Sequence, residues 1–130
     1  MYKILLVDDD EFSADIIRHS LRRFDLSIKY VNNGIVASEI VRRETFDLII
    51  SDVMMPEMDG FTFLEGAGPH IGDTPVIILT ALDKVDCTKK LEQIHQISVS
   101  SFMMKPITKL SLMSRIARAL SLQELSLVAI

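Results

Sequence analysis

The chain has 130 residues, of which 48% are hydrophobic and 25% are charged, and its formal net charge is −4. This composition is typical of one globular domain with a real core, and the acidic balance argues against a nucleic-acid surface, which needs clustered lysine and arginine. No apolar run approaches the roughly 18 residues of a membrane span, no signal-peptide pattern precedes Lys3, and the single cysteine, Cys87, fits a reducing compartment, so we expect a cytoplasmic protein.

Strand patterns alternate with helix patterns through the first half of the chain. Lys3 to Val7 is a continuous apolar run, the kind of strand that is buried on both faces of a parallel sheet. A helix pattern starts at Ser13, residues 27–31 form a more polar strand that suits a sheet edge, a second helix ends near Arg43, and residues 47–51 form a short buried strand. The apolar faces of the two helices are Ala14, Ile17, Leu21 and Phe24 in the first and Val36, Ala37, Ile40 and Val41 in the second.

The pattern continues after a turn that contains proline and glycine. A third helix begins near Phe61, and we expect it to be short because three helix-breaking residues follow. Residues 75–80 are another fully apolar strand, and a fourth helix covers roughly residues 85–95. The helix breakers are Gly66, Gly68 and Pro69.

A fifth strand and a fifth helix complete the pattern. Residues 99–104 form the strand, which is rich in serine at its start and suits the second edge of the sheet. Thr108 can cap the last helix, and residues 121–130 continue that helix or begin a linker. The apolar face of this helix is Leu112, Met113, Ile116, Ala117 and Leu120.

Five successive strand–helix units predict one α/β domain over residues 1–120. Apolar strands that alternate with amphipathic helices favour parallel strands joined by right-handed crossovers. We therefore expect a doubly wound five-stranded parallel sheet with helices on both faces.

Polar side chains end four of the five strands. Asp8 and Asp9 follow the first strand, Asp52 ends the third, Thr80 ends the fourth and Lys105 follows the fifth. The carboxyl ends of parallel strands lie along one edge of a sheet, where open α/β folds bind ligands. Three carboxylates close together raise each other's pKa, so the site needs a cation. One candidate for this cation is Lys105. The other is a hard divalent ion, Mg²⁺ first and Mn²⁺ next, because only oxygen ligands are present.

Four motifs on these strand ends resemble those of one known family, the receiver domain of two-component response regulators. The resemblance covers nearly the whole chain and implies a flavodoxin-like (βα)5 fold with strand order 2-1-3-4-5. The motifs are Leu-Leu-Val-Asp8-Asp9-Asp10, Asp52-Val-Met-Met-Pro56-Glu-Met-Asp-Gly60, Ile-Leu-Thr80-Ala81 and Lys105-Pro106.

The resemblance implies a chemical role for each acidic residue. Asp52 is the nucleophile that takes a phosphoryl group from the phosphohistidine of a histidine kinase or phosphotransfer protein. Asp8 and Asp9 hold Mg²⁺ together with Asp52 and the backbone carbonyl of Met54. Phosphoryl transfer needs positioning and charge neutralisation above all, which agrees with these roles.

It also implies a switch that carries the signal to a partner. Thr80 and Lys105 move toward the phosphoryl group, Phe102 occupies the position of an aromatic switch residue, and the peptide bond before Pro106 is cis. The surface of the fourth helix, fifth strand and fifth helix then binds an effector or a second copy of the chain. Such a domain catalyses its own phosphorylation and dephosphorylation but is chiefly a signalling switch.

Two features depart from the pattern of the family or vary within it. The segment between Thr80 and Lys105 is a few residues longer than usual, beside the output surface. Met54 and Leu82 occupy two positions that tune dephosphorylation, and both are apolar. We therefore expect a long-lived phosphorylated state.

Two other functions compete with this interpretation. A haloacid-dehalogenase-type phosphatase also uses an aspartate after its first strand, but its second acidic motif follows the lysine, whereas Asp52 precedes both Thr80 and Lys105. The other alternative is a receiver-like interaction module that works without phosphorylation. Labelling with acetyl phosphate separates these possibilities.

Overall fold

The computed structural model describes residues 1–81, 89, 92, 94 and 97–121. The predicted helix over residues 85–95, Leu82, Cys87 and the predicted extension after residue 121 lie largely or wholly outside these residues. The strands are β1 (Tyr2–Val7), β2 (Leu26–Val31), β3 (Leu48–Asp52), β4 (Pro75–Thr80) and β5 (Ser98–Met104). The helices are α1 (Glu11–Leu21), α2 (Gly34–Val41), α3 (Gly60–Ile71) and α4 (Lys109–Ala119), which is the predicted fifth helix.

All five strands pair in parallel in the order β2-β1-β3-β4-β5, which confirms the predicted fold class and strand order. The fully apolar strands β1, β3 and β4 are central, and the two more polar strands are the edges, as their composition predicts. A register shift between Val76 and Ile77 leaves Ser100 unmatched in the β4–β5 pairing. None of the helices in the described ranges is long and apolar enough to cross a membrane.

Two apolar layers cover the two faces of the sheet because successive strand residues point to opposite sides. Helices α2 and α3 pack on one face, against Leu5, Ile49 and Ile78. Helices α1 and α4 pack on the other face, against Leu6 and Ile50. Burial on both faces explains why the central strands read as unbroken apolar runs.

The expectation of a short third helix is wrong. Helix α3 runs for 12 residues through Gly66, Gly68 and Pro69 and ends before Gly72, whose φ is +55°. Its buried face includes Phe63 and Leu64, which are 0% exposed. Burial of this face outweighs the modest intrinsic cost of two glycines.

The helix boundaries differ from the sequence prediction in smaller ways. Helix α1 begins at Glu11 rather than Ser13, and Phe24 lies beyond its end. Val36, assigned to the apolar face of α2, is 38% exposed. Thr108 caps α4 as predicted, because its Oγ1 accepts a hydrogen bond from the backbone N–H of Ser111 at 3.3 Å.

Gly60 allows the start of α3 to pass close to the end of β3. A Cβ at this position would lie 2.1 Å from the carbonyl oxygen of Asp52 and 2.6 Å from the Cα of Val53. Since both neighbours are backbone atoms beside the acidic strand end, neither can rotate away. Among the described residues outside its own helix backbone and chain neighbours, no heavy atom lies within 4 Å of a Cβ built on Gly66.

We therefore expect Gly60→Ala and Gly66→Ala to have opposite effects on stability. The first should lower the free energy of unfolding by several kcal/mol because it forces backbone apart, and the second should raise it by up to about 1 kcal/mol by favouring the helix. Urea denaturation of both variants measures the difference. Equal stabilities would contradict the close approach at Gly60.

Candidate functional site

Three carboxylates meet at the carboxyl edge of the sheet. The site contains Asp8, which directly follows β1, its neighbour Asp9, and Asp52, the last residue of β3. One carboxylate oxygen from each lies within 4.8 Å of the other two. Because β1 and β3 pair directly, with Val7 opposite Ser51, the sheet itself brings these acids together.

Lys105 directly follows β5, and its side chain extends into this group of carboxylates. Its Nζ lies 2.8 Å from Oδ2 of Asp52, 3.2 Å from Oδ1 of Asp8 and 3.1 Å from Oδ2 of Asp8. Its backbone N–H donates to the carbonyl of Thr80 at 3.0 Å, and the peptide bond to Pro106 is cis. The ammonium group therefore links carboxylates from two neighbouring strands.

Burial dominates the electrostatics of Asp8. Its side chain is 0% exposed, and desolvation is the largest cause that raises its pKa to about 6. The hydrogen bonds from Asp10 and Lys105 act in the opposite direction, and the charge of Asp52 contributes least. The sequence predicted mutual repulsion as the cause of raised pKa values, but for Asp8 loss of solvent matters more.

The ammonium of Lys105 is stabilised by the same contacts. Burial lowers its pKa, but hydrogen bonds and charge attraction from Asp52 and Asp8 outweigh this effect, so the pKa lies above its ordinary value. The lysine therefore stays charged at neutral pH.

The donor set of the site fits a hard divalent cation. Within the described part of the chain, Oδ2 of Asp8 is buried and accepts no hydrogen bond, although it faces the ammonium of Lys105. Asp9 is exposed, so one side of the group opens to solvent. Carboxylate oxygens on a partly open edge suit Mg²⁺, which keeps several waters and takes one or two carboxylates.

Hydrogen bonds hold the turn that carries Asp8 and Asp9. The backbone N–H of Asp10 donates to Oδ1 of Asp8 at 2.9 Å. Asp10 also caps α1, since its carboxylate accepts from the N–H of Phe12 at 3.0 Å and from the hydroxyl of Ser13 at 2.9 Å. An aspartate three residues before a serine is a capping signal that the sequence analysis did not use. Asp10 therefore joins the acidic turn to the first helix.

Tyr30 supports the same turn from the edge strand. Pairing between β1 and β2 ends at Val7 and Val31. Asp8 follows Val7, and its backbone carbonyl accepts a hydrogen bond from the Tyr30 hydroxyl at 2.7 Å. The Arg18 guanidinium lies 4.7 Å from the centre of the tyrosine ring. Burial raises the pKa of Tyr30, so the hydroxyl keeps its proton.

The loop after β3 fixes the orientation of Asp52. The backbone N–H of Met54 donates to Oδ1 of Asp52 at 3.0 Å, while Oδ2 faces the lysine. The N–H of Gly60 donates to the carbonyl of Val53 at 3.1 Å and closes the loop. The Met54 side chain is 54% exposed.

Thr80 and Phe102 lie on the two neighbouring strands at the far side of the site. Thr80 is 0% exposed, and the residue before it, Leu79, pairs with Asp52. Phe102 pairs with Ile78 and packs as a partly buried side chain against the core between the sheet and helices α2 and α3. Both residues line one groove of about 710 Å³ that follows β5 and α4.

The fold and the acidic edge together define a flavodoxin-like α/β protein with three carboxylates and a lysine at its strand ends. The chain belongs to the response regulator receiver domain family, whose model matches residues 4–117. It is similar to the transcriptional regulatory protein ZraR of Klebsiella oxytoca, with 40% identity over 83 residues. That match covers 64% of this chain and 19% of the regulator, so the chain spans a fifth of that relative's length.

Solved structures support the same assignment. The chemotaxis protein CheY4 of Vibrio cholerae is 26% identical, with a TM-score of 0.81 over 92% of this chain and 98% of that one. The receiver domain of the sensor histidine kinase PA1611 from Pseudomonas aeruginosa is 24% identical, with a TM-score of 0.79 over 92% and 98% of the two chains. The second likeness concerns the fold alone.

The raised pKa of Asp8 predicts how stability depends on pH without divalent cations. Between its ordinary pKa of 3.8 and the folded value of about 6, the folded state binds more protons than the unfolded state. The free energy of unfolding should therefore rise as the pH falls from 7 to about 5, by about 1 kcal/mol of the roughly 3 kcal/mol that the full pKa shift is worth. Urea denaturation across this range measures the rise, and Asp8→Asn should lack it. Parallel pH profiles for both proteins would contradict the assignment to Asp8.

Removal of the Tyr30 hydroxyl should loosen the acidic turn. In Tyr30→Phe the ring still packs beside Arg18, but the carbonyl of Asp8 loses its donor, at a cost of about 1 kcal/mol. Amide hydrogen exchange at Asp9 and Asp10, followed by NMR, should accelerate roughly fivefold. Tyr2→Phe, at the opposite end of β1, is the matched control. Equal exchange rates in the two variants would show that the hydroxyl does not order the turn.

Proposed function

We propose that this chain is a phosphoryl-accepting receiver domain in which Asp52 is the acceptor. The observation that carries the proposal is the position of the Lys105 ammonium, 2.8 Å from Oδ2 of Asp52 and within 3.2 Å of Asp8. An acceptor carboxylate, a second buried acid and a mobile cation at one strand edge suit the transfer of an anionic group. The family assignment supports the same chemistry.

The transfer is a displacement at phosphorus. One carboxylate oxygen of Asp52 attacks the phosphorus atom of a kinase or phosphotransfer-protein phosphohistidine, forming an aspartyl phosphate. The P–N bond breaks, and its electron pair stays on the histidine nitrogen, which regains neutrality as imidazole. Lys105 moves from the carboxylates to the phosphoryl oxygens and offsets their charge.

Asp8, Asp9 and Asp52, together with the backbone carbonyl of Met54, would hold a divalent cation. When bound, Mg²⁺ would offset the negative charge of the site during transfer, and Mn²⁺ would supply the same hard-cation chemistry. The carboxylate oxygens within 4.8 Å of one another and the buried Oδ2 of Asp8 support this assignment. The PA1611 receiver structure is described with a magnesium ion in its active-site cleft.

Phosphorylation of Asp52 then changes the surface of the last strand and helix. Roughly two added charges and three acceptor oxygens attract the Thr80 hydroxyl and Lys105. Thr80 lines the same groove as Phe102, so movement of the threonine leaves space into which the aromatic ring turns. The surface of the predicted fourth helix, β5 and α4 repacks and binds an effector or a second copy of the chain.

We also propose a phosphoryl donor, a location and bounds for the domain. A histidine kinase or phosphotransfer protein supplies the phosphoryl group in the cytoplasm, and residues 1–120 form the receiver, with 121–130 as a helical extension or the start of a linker. No membrane or nucleic acid is contacted by this domain. The apolar residues Met54 and Leu82, the latter outside the described residues, shield the aspartyl phosphate and prolong its life.

Phosphorylation by acetyl phosphate tests the proposal directly. The wild-type chain with Mg²⁺ should gain one phosphoryl group by intact-protein mass spectrometry, and Asp52→Asn should gain none because its amide is a poor nucleophile. Asp73→Asn makes the same chemical change at an exposed turn and should label like wild type.

Two outcomes would contradict the proposal. An unlabelled wild-type chain that folds normally would favour an interaction module that works without phosphorylation. Catalytic hydrolysis of generic phosphate esters would favour a phosphatase.

A further inference from the structure

The described residues at the end of the chain carry an unusual charge pattern. Residues 97–121 contain two lysines, two arginines and no aspartate or glutamate, whereas the whole chain has 18 acidic and 14 basic residues. Lys105 points into the acidic site. The other three cations, Lys109, Arg115 and Arg118, all lie on α4.

The two arginines line the groove of about 710 Å³ along β5 and α4. Within the part of the chain that the structure describes, the buried Nε of Arg115 and the buried hydroxyl of Ser101 have no hydrogen-bond partner. Both residues line the groove. A buried donor without an acceptor is costly in a native protein, so these groups are suited to a partner that brings its own acceptors.

Apolar side chains line the same groove as the arginines. Met104 is 57% exposed, and Ile107 also lines the groove. A partner that fits this surface therefore needs carboxylates for the arginines and apolar side chains for Met104 and Ile107. We call the surface formed by β5 and α4 the β5–α4 face.

We propose that the β5–α4 face binds an acidic segment of a partner protein that also carries apolar side chains. Carboxylates of this segment pair with Arg115 and Arg118, whose planar guanidinium groups suit two-pronged carboxylate recognition. The inference rests on the proposed function, since it names the chemistry of the partner at the output surface.

Two other occupants fit less well. Nucleic acid needs many phosphate contacts, and α4 offers three cations on a chain of net charge −4. A symmetric dimer through this face would bring two copies of the same basic patch into one interface, since an isologous interface uses one patch of both subunits. A partner with the opposite charge avoids this repulsion.

Selection from a random 16-residue peptide library displayed on phage tests the inference. The immobilised full chain should enrich peptides of net negative charge that contain apolar residues. Binding of a synthetic copy of an enriched peptide should weaken roughly tenfold in Arg115→Gln/Arg118→Gln and should fall as salt is raised. Arg22→Gln/Arg23→Gln makes the same charge change after α1 and should bind like wild type.

Arg118→Gln alone removes an exposed group and keeps the test valid if substitution of Arg115 harms folding; it should weaken binding at least threefold. No enrichment, enrichment without acidic bias, or equal binding by all variants would overturn the inference. Tighter binding of a single-stranded DNA oligonucleotide than of acidic peptides would overturn it too, in favour of nucleic acid.

Treatment with acetyl phosphate and Mg²⁺ separates this inference from the proposed function. Arginine-dependent peptide binding that is unchanged by treatment would support the acidic partner while contradicting the switch. Labelling of Asp52 without any peptide binding would support the receiver chemistry and overturn the acidic partner.

Discussion

The structure depends on one buried ionic contact, in which the ammonium of Lys105 lies between the carboxylates of Asp8 and Asp52. Buried charges are costly unless opposite charges and hydrogen bonds compensate them. The lysine partly compensates two acids from different strands. The pKa of Asp8 is nevertheless raised to about 6, chiefly because burial removes its carboxylate from solvent. Burial of Asp8 is thus offset only in part by the lysine, and a second positive charge beside these carboxylates would offset more of it.

The sheet explains why these groups meet at all. Parallel strands in the order β2-β1-β3-β4-β5 bring every carboxyl end to one edge. Gly60 lets the loop after β3 fold back onto the strand end, and the N–H of Met54 orients the carboxylate of Asp52. On the other side of Asp8, Tyr30 and Asp10 hold the turn. The site is thus rigid in its backbone and adaptable at its lysine.

Apolar runs were sufficient to predict the doubly wound parallel sheet, whereas the strand order came from the family resemblance. The strand-end residues predicted that Asp8, Asp9, Asp52 and Lys105 lie together. Burial on both faces leaves an unbroken apolar pattern that is hard to mistake. The full length of α3 could not be predicted, since glycine and proline propensities are outweighed by packing that appears only in three dimensions. The tyrosine contact was also missed, because no local pattern links residues 22 positions apart.

The carboxyl edge of the sheet and residues 97–121 differ in the sign of the charges they carry. The carboxyl edge gathers three acids around Lys105, whereas residues 97–121 gather cations without any acid. Lys105 belongs to both regions, since its side chain contacts Asp52 and its backbone N–H binds the carbonyl of Thr80 at the start of the groove. Under the proposed function, movement of this lysine would act on the end of β5, from which the chain continues into α4 and its basic residues. Coupling between the acidic edge and the β5–α4 face would then need no chain of intermediate residues, because Lys105 belongs to both regions.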